Sequence, residues 1–153
     1  MPRGQRRLPE RCVQLLGAAE LIVHAGDLIS TTVLEEIRSY GPPVVAVRGN
    51  VDEPALRRIL PAATSFEFHG STIAVIHDAG AAKGRLRRMR SRFPEADAVV
   101  FGHSHLPLHE RSPHGFQIFN PGSPTERRRA PHRTMGLARV ENDGLSFELV
   151  VLD

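Results

Sequence analysis

Short apolar runs, each closed by a polar turn, recur along this chain. "LIVHAG" runs into Asp27, "VVAVRG" into Asn50, "TIAVI" into His77 and "AVVFG" into His103. Runs of this length, bounded by turn signals and free of alternation, predict strands buried on both faces. Between them the period changes to that of a helix. Residues 8–18 predict an amphipathic helix with Pro9 in its first turn. "STTVLEEIRSYG" predicts a second, opened by a Thr32/Glu35 capping box and stopped at Gly41. "TSFEFHGSTIAVIHD" reads as a hairpin about a His-Gly turn, and a third helix is expected near residues 82–92. From residue 107 onward the pattern is mostly β: "FQIFN", "TMGLARVE" and "LSFELVVL", with "SPHG" and "NDG" turns and the polar loop "GSPTERRRAPHRT". Alternating strands and helices imply an α/β core with parallel strands.

Composition narrows the picture. A chain of 153 residues, with no repeat and no linker, implies a single domain over residues 1–153. No apolar run approaches the roughly 20 residues that span a membrane. The one cysteine, Cys12, excludes an internal disulfide and fits a cytoplasmic protein; its neighbours Leu8, Leu15 and Leu16 make it a core residue. Nineteen of the 20 basic residues are arginine and the net charge is +3, which suits an anionic partner. Nucleic acid is the less favoured one, because there is no tryptophan and only one tyrosine to stack on bases. In "KGRLRRMRSRFP" an apolar stripe of Leu86, Met89 and Phe93 leaves the arginines to a solvated face.

The candidate chemistry lies where the strands end. Asp27, Asn50, His77, His103 and His105 are all good ligands for a divalent ion. Ligand sites in α/β folds sit at the carboxyl ends of strands. Gly26, Gly49 and Gly102 each precede such a residue, which suggests sharp turns that bring the side chains inward. Asp78 follows His77 and either orients that ring or serves its own turn. Ser123 and Arg127 to Arg129 either meet a substrate phosphate or, for the arginines more readily, belong to a solvated loop. His24 reads as a core or supporting residue, and His69, His109, His114 and His132 as exposed.

"GD" at 26–27, "GNVD" at 49–52, "HD" at 77–78, "GHSH" at 102–105 and "NPGSPT" at 120–125 resemble, in that order, the calcineurin-like metallophosphoesterases, and among them the small single-domain YfcE-like phosphodiesterases. The resemblance implies a two-sheet α/β sandwich flanked by helices, with a two-metal site. It implies that Asp27 bridges both ions, that Asn50, His77 and His103 complete the second, and that His105 serves the first. It makes Asn50 and His103 the catalytic pair of a phosphodiesterase in which a metal-activated hydroxide attacks phosphorus in line. Asp52, Asp78 and Ser123 fall to supporting or substrate roles. Mn²⁺ is the expected ion, with Ni²⁺, Zn²⁺, Fe²⁺ or Co²⁺ as alternatives.

Two positions depart from the family pattern. Many members carry a leaving-group-protonating histidine where this chain has Val51, which favours diesters over monoesters. Members also begin with a strand ending in Asp-x-His, whereas only "MPRGQRR" precedes the first helix here. The expectation is therefore an N-terminally incomplete domain, with Met1 an internal methionine, an unpaired sheet edge, and one metal rather than the two of a complete site. The competing reading is a non-catalytic protein-interaction module on the same fold.

Overall fold

The computed structural model describes residues 7–153. The basic opening stretch at residues 1–6 lies outside them. The chain runs α1 (Glu10–Ala18), β1 (Ile22–His24), α2 (Thr31–Arg38), β2 (Val44–Ala46), α3 (Pro54–Ile59), β3 (Ala63–Phe68), β4 (Ser71–Ile76), α4 (Arg85–Arg92), β5 (Ala98–Phe101), β6 (Leu108–Arg111), β7 (Gln117–Asn120), β8 (Thr134–Glu141) and β9 (Gly144–Val151).

Five strands form one sheet in the order β3-β4-β5-β7-β6. The central three are parallel, and the two edges run antiparallel to their neighbours. β1 and β2 pair in parallel, and β8 and β9 form an antiparallel hairpin. Alternation across the pleat divides the five-stranded sheet's side chains between two cores. Ala74, Ile76, Val99, Phe101 and Ile118 pack with Met89 of α4, while Ile73, Ala98 and Val100 pack with Val23, Leu145 and Phe147 of the second layer. α2 and α3 close the outer side of β1 and β2 through Leu34, Ile37 and Leu56, and α1 covers the hairpin through Cys12, Met135 and Val150. The architecture is the expected helix-flanked two-layer sandwich.

Three local expectations are corrected. The N-cap of α2 is Ser30, whose Oγ accepts from Val33 N–H at 3.3 Å, so Thr32 sits inside the helix and no Thr32/Glu35 box forms. A short helix, α3, follows the second strand, started by Pro54 in its first turn. The arginines of α4 are not simply solvated. Arg88 donates to the carbonyls of Ala79, Ala81 and Lys83, Arg85 to Gly80, and Arg90 to Pro94 and Ala96. The guanidiniums of Arg85 and Arg90 also lie over the Phe101 and Phe116 rings, 5.0 and 5.3 Å from their centroids.

Among the described residues β1 pairs only with β2, and β8 only with β9. Between the two free edges runs an apolar cleft of about 520 Å³, floored by Phe66, Ile73, Val100 and Phe119 and opening at Asp27 and His105. No described helix is long and apolar enough to cross a membrane.

Candidate metal centre

The loops after β1, β2, β4 and β5 converge at the strand ends. Asp27, Asn50, His77 and His103 meet there. His77 Nε2 lies 2.9 Å from Asn50 Oδ1, 3.3 Å from Asp27 Oδ2 and 3.3 Å from His103 Nδ1; that Nδ1 is in turn 3.3 Å from Asn50 Oδ1. The two imidazole rings stand edge to face at 83°. Asp27 and His77 are buried, whereas Asn50 lies at the exposed mouth.

The backbone is unusual where it presents these groups. Asp27, His103 and His105 have φ of 61°, 66° and 60°, in the left-handed region that non-glycine residues seldom occupy. Such conformations cost energy and gather at functional sites. The preceding glycines act differently from the sequence expectation. Only Gly26 among the three has positive φ, at 103°. Gly49 matters for space: a Cβ there would overlap the Asp27 carboxylate and backbone nitrogen. At Gly102 it would sit 3.2 Å from the Ala25 carbonyl.

His77 Nδ1–H donates to Ala25 O at 2.7 Å, which leaves Nε2 to face the cluster. Backbone anchoring of this kind fixes a ligand's tautomer and ring plane. Burial alone pushes the Asp27 carboxyl up, but the hydrogen bonds from His77 and from Val51 N–H outweigh it and bring the pKa to about 2. Burial likewise disfavours protonated His77, yet the hydrogen bond to Asp27 and the Ala25 carbonyl raise its pKa above the ordinary value.

The donor set fits a divalent cation. Ligands at about 2.1 Å in an octahedron sit about 3.0 Å from one another, the range of the four separations here. Among the described residues, His, Cys, Asp and Glu alone form no ready three-membered cage. Asn50 Oδ1, touching both imidazoles, supplies the linking donor.

The other expected residues fall around this cluster in different ways. His105 is buried, and its Nδ1 donates to Glu126 O at 2.9 Å. Its ring lines the same cleft as Asp27 without joining the four-membered contact set. Burial, followed by the charge of Arg128, lowers its pKa. Asp52 is buried, with Oδ1 accepting from Ile29 N–H at 2.8 Å and Oδ2 from Gly49 N–H at 2.7 Å. It buckles the loops after β1 and β2 together. Asp78 does not meet His77: it accepts from Gly80 N–H at 2.8 Å and lies 3.9 Å from His103 Nε2. Ser123 is buried, its Oγ accepting from Thr125 and Glu126 N–H at 3.3 and 3.0 Å, so it shapes the loop after β7. His24 accepts from Gly26 N–H, and burial lowers its pKa to about 3, which keeps it neutral. The carbonyls of Ala25 and Glu126, which aim His77 and His105, carry no signature in a sequence.

A parallel-centred α/β sandwich with acid, amide and imidazole donors gathered at its strand ends defines a metal-dependent hydrolase fold. Residues 4–143 match the calcineurin-like phosphoesterase superfamily domain, and the chain belongs to that family of divalent-metal-binding phosphoesterases. A probable metallophosphoesterase of Methanothermobacter thermautotrophicus is 31% identical over 152 residues, 98% of this chain and 86% of the relative. Wild-type Vps29 from Entamoeba histolytica, solved with Zn²⁺, superposes with a TM-score of 0.76 at 16% identity, covering 100% of this chain and 94% of that one. A structure described as a novel archaeal phosphodiesterase gives a TM-score of 0.70 at 19% identity, over 92% and 90% of the two chains. At these identities the solved structures speak for the fold alone.

Proposed function

We propose that this chain is a metal-dependent phosphodiesterase whose ion, Mn²⁺ by preference, is held by Asp27, Asn50, His77 and His103. The observation that carries this reading is the convergence of four donor atoms at separations of 2.9–3.3 Å, with the His77 tautomer fixed by Ala25 O. Bound there, the cation would supply Lewis-acid polarisation of the phosphoryl group and acidify water. Asp27 Oδ1 accepts from Val51 N–H at 3.1 Å, which orients the carboxylate. Asn50 and His103, at the open mouth, are the residues that meet substrate. His105 serves a second ion with Asp27, and its anchoring on Glu126 O turns the free Nε2 away from that loop carbonyl. Val51 offers no proton, so diesters whose leaving groups need little protonation are the expected substrates.

Hydrolysis of bis(4-nitrophenyl) phosphate with added Mn²⁺ tests this. Asn50→Ala and His103→Ala should each lower kcat/KM at least about 100-fold. Unchanged rates in either variant would remove the assignment. Metal-dependent stabilisation without any turnover would instead favour the interaction-module reading, which the position of His105 outside the four-membered set supports.

A further inference from the structure

Three consecutive arginines occupy the loop after β7, and only one of them is tied to the metal cluster. Arg127 turns back on its own loop, donating to Pro131 O at 2.9 Å. Arg128 reaches across 25 residues of sequence and donates through Nη1 to His103 O at 3.0 Å. Its backbone has φ of 49°, another left-handed non-glycine residue at the rim of the site. The loop holding it is fixed at several points. Ser123 Oγ gathers the Thr125 and Glu126 N–H groups, His105 holds Glu126 O, Ala130 N–H bonds Arg127 O at 2.8 Å, and Thr134 N–H bonds Ser123 O at 3.0 Å. Arg128 is nevertheless exposed, and its single hydrogen bond engages one of the five guanidinium donors.

We propose that Arg128 is a catalytic residue that receives the departing ester oxygen of the phosphodiester. The inference rests on the phosphodiesterase reading. Hydroxide derived from water forms the new P–O bond. The ester P–O bond breaks, its electron pair leaves with the alcohol oxygen, and that oxyanion takes a proton from solvent. Val51 cannot protonate it. An arginine does not give up its proton at working pH, but its remaining N–H donors stabilise the developing anion by charge-assisted hydrogen bonds. The guanidinium is anchored on the carbonyl of a cluster residue, so its position is set before substrate arrives.

The proposal predicts a leaving-group signature. Arg128→Ala should lower kcat/KM about 100-fold on diphenyl phosphate, whose phenolate is the poorer leaving group, and about tenfold on bis(4-nitrophenyl) phosphate. Arg128→Lys should recover part of both losses. Tungstate is a tetrahedral oxyanion that serves as a phosphate mimic; its dissociation constant, measured by calorimetry with saturating Mn²⁺, should rise about tenfold in Arg128→Ala, with Mn²⁺ content unchanged. Equal losses on the two esters, or none, would overturn the proposal. If the wild-type chain hydrolyses neither ester, the phosphodiesterase reading fails. The tungstate comparison then decides alone: weaker binding in Arg128→Ala supports an anion-receiving Arg128, and equal or absent binding in both proteins overturns it.

Discussion

His77 Nε2 stands 3.3 Å from Asp27 Oδ2 while the same ring's Nδ1 is anchored on Ala25 O at 2.7 Å. One imidazole therefore ties a strand-end carboxylate to the backbone two residues before it. His77→Ala removes both ties and a cluster donor. We expect Mn²⁺ affinity, measured by calorimetry, to fall at least about 100-fold. The thermal stabilisation that Mn²⁺ gives the wild-type chain should disappear with it. A variant that still gains stability from the ion would place the metal elsewhere.

Asp52 holds its two partners from inside the protein. With Oδ1 on Ile29 N–H and Oδ2 on Gly49 N–H, it makes two charge-assisted hydrogen bonds between separate loops. Asp52→Ala should lower unfolding free energy in urea by about 3 kcal/mol, and Asp52→Asn, which keeps one acceptor, by about half that. Both should weaken Mn²⁺ binding, because Gly49 packs against Asp27.

Cys12 is buried between α1 and the hairpin, and burial pushes its thiol from an ordinary 9.0 up to about 11. The thiolate is the reactive form, so a disulfide-exchange reagent at pH 8 should label the native chain only as fast as it unfolds. A group whose folded pKa is raised stabilises the fold in full below its unfolded value. Here that contribution is lost as pH rises from about 9 towards 11. Cys12→Ala should flatten the decline in melting temperature across that window.

Arg88 gathers the carbonyls of Ala79, Ala81 and Lys83 at 2.6, 2.7 and 3.3 Å. A lysine ammonium cannot span three acceptors as a planar fork does. Arg88→Lys should cost about 1–2 kcal/mol in chemical denaturation. Hydrogen exchange should accelerate in residues 79–83 and leave β5 unchanged.

The strand ends were legible because fully buried runs stand out by length and composition, and because Asp, Asn and His at their termini are rare in a core. What stayed hidden has particular causes. α3 buries little beyond Leu56, so its six residues show no helical period. β6 is an edge strand of Leu108, His109, Glu110 and Arg111, whose alternation between half-buried and exposed positions lacks an apolar face. Gly49 looks like a turn glycine but is required for room beside Asp27, a contact between loops 22 residues apart or more. The carbonyl partners of Arg88 and His77 are backbone atoms, and the chain spells nothing about where a backbone oxygen will point.

The β8–β9 hairpin has a further consequence. It shares a hydrogen-bonded ladder with no other described strand. Its attachments include Leu145 and Phe147 packed on Ile73, Ala98 and Val100, the stacked Phe119 and Phe147 rings, Gln117 reaching Leu145 O, Arg11 reaching Val151 O, Thr134 on Ser123 and Pro121, and the greasy patch around Met135. Scattered grips of this kind release together, whereas a continuous ladder opens strand by strand from its ends. The chain thus has two tiers of cooperativity, a stiff inner sheet bearing His77 and His103 and a detachable wall beside it. Amides of the hairpin will exchange through a partial opening that leaves the donor cluster assembled, so loss of the wall and loss of the site are separate events.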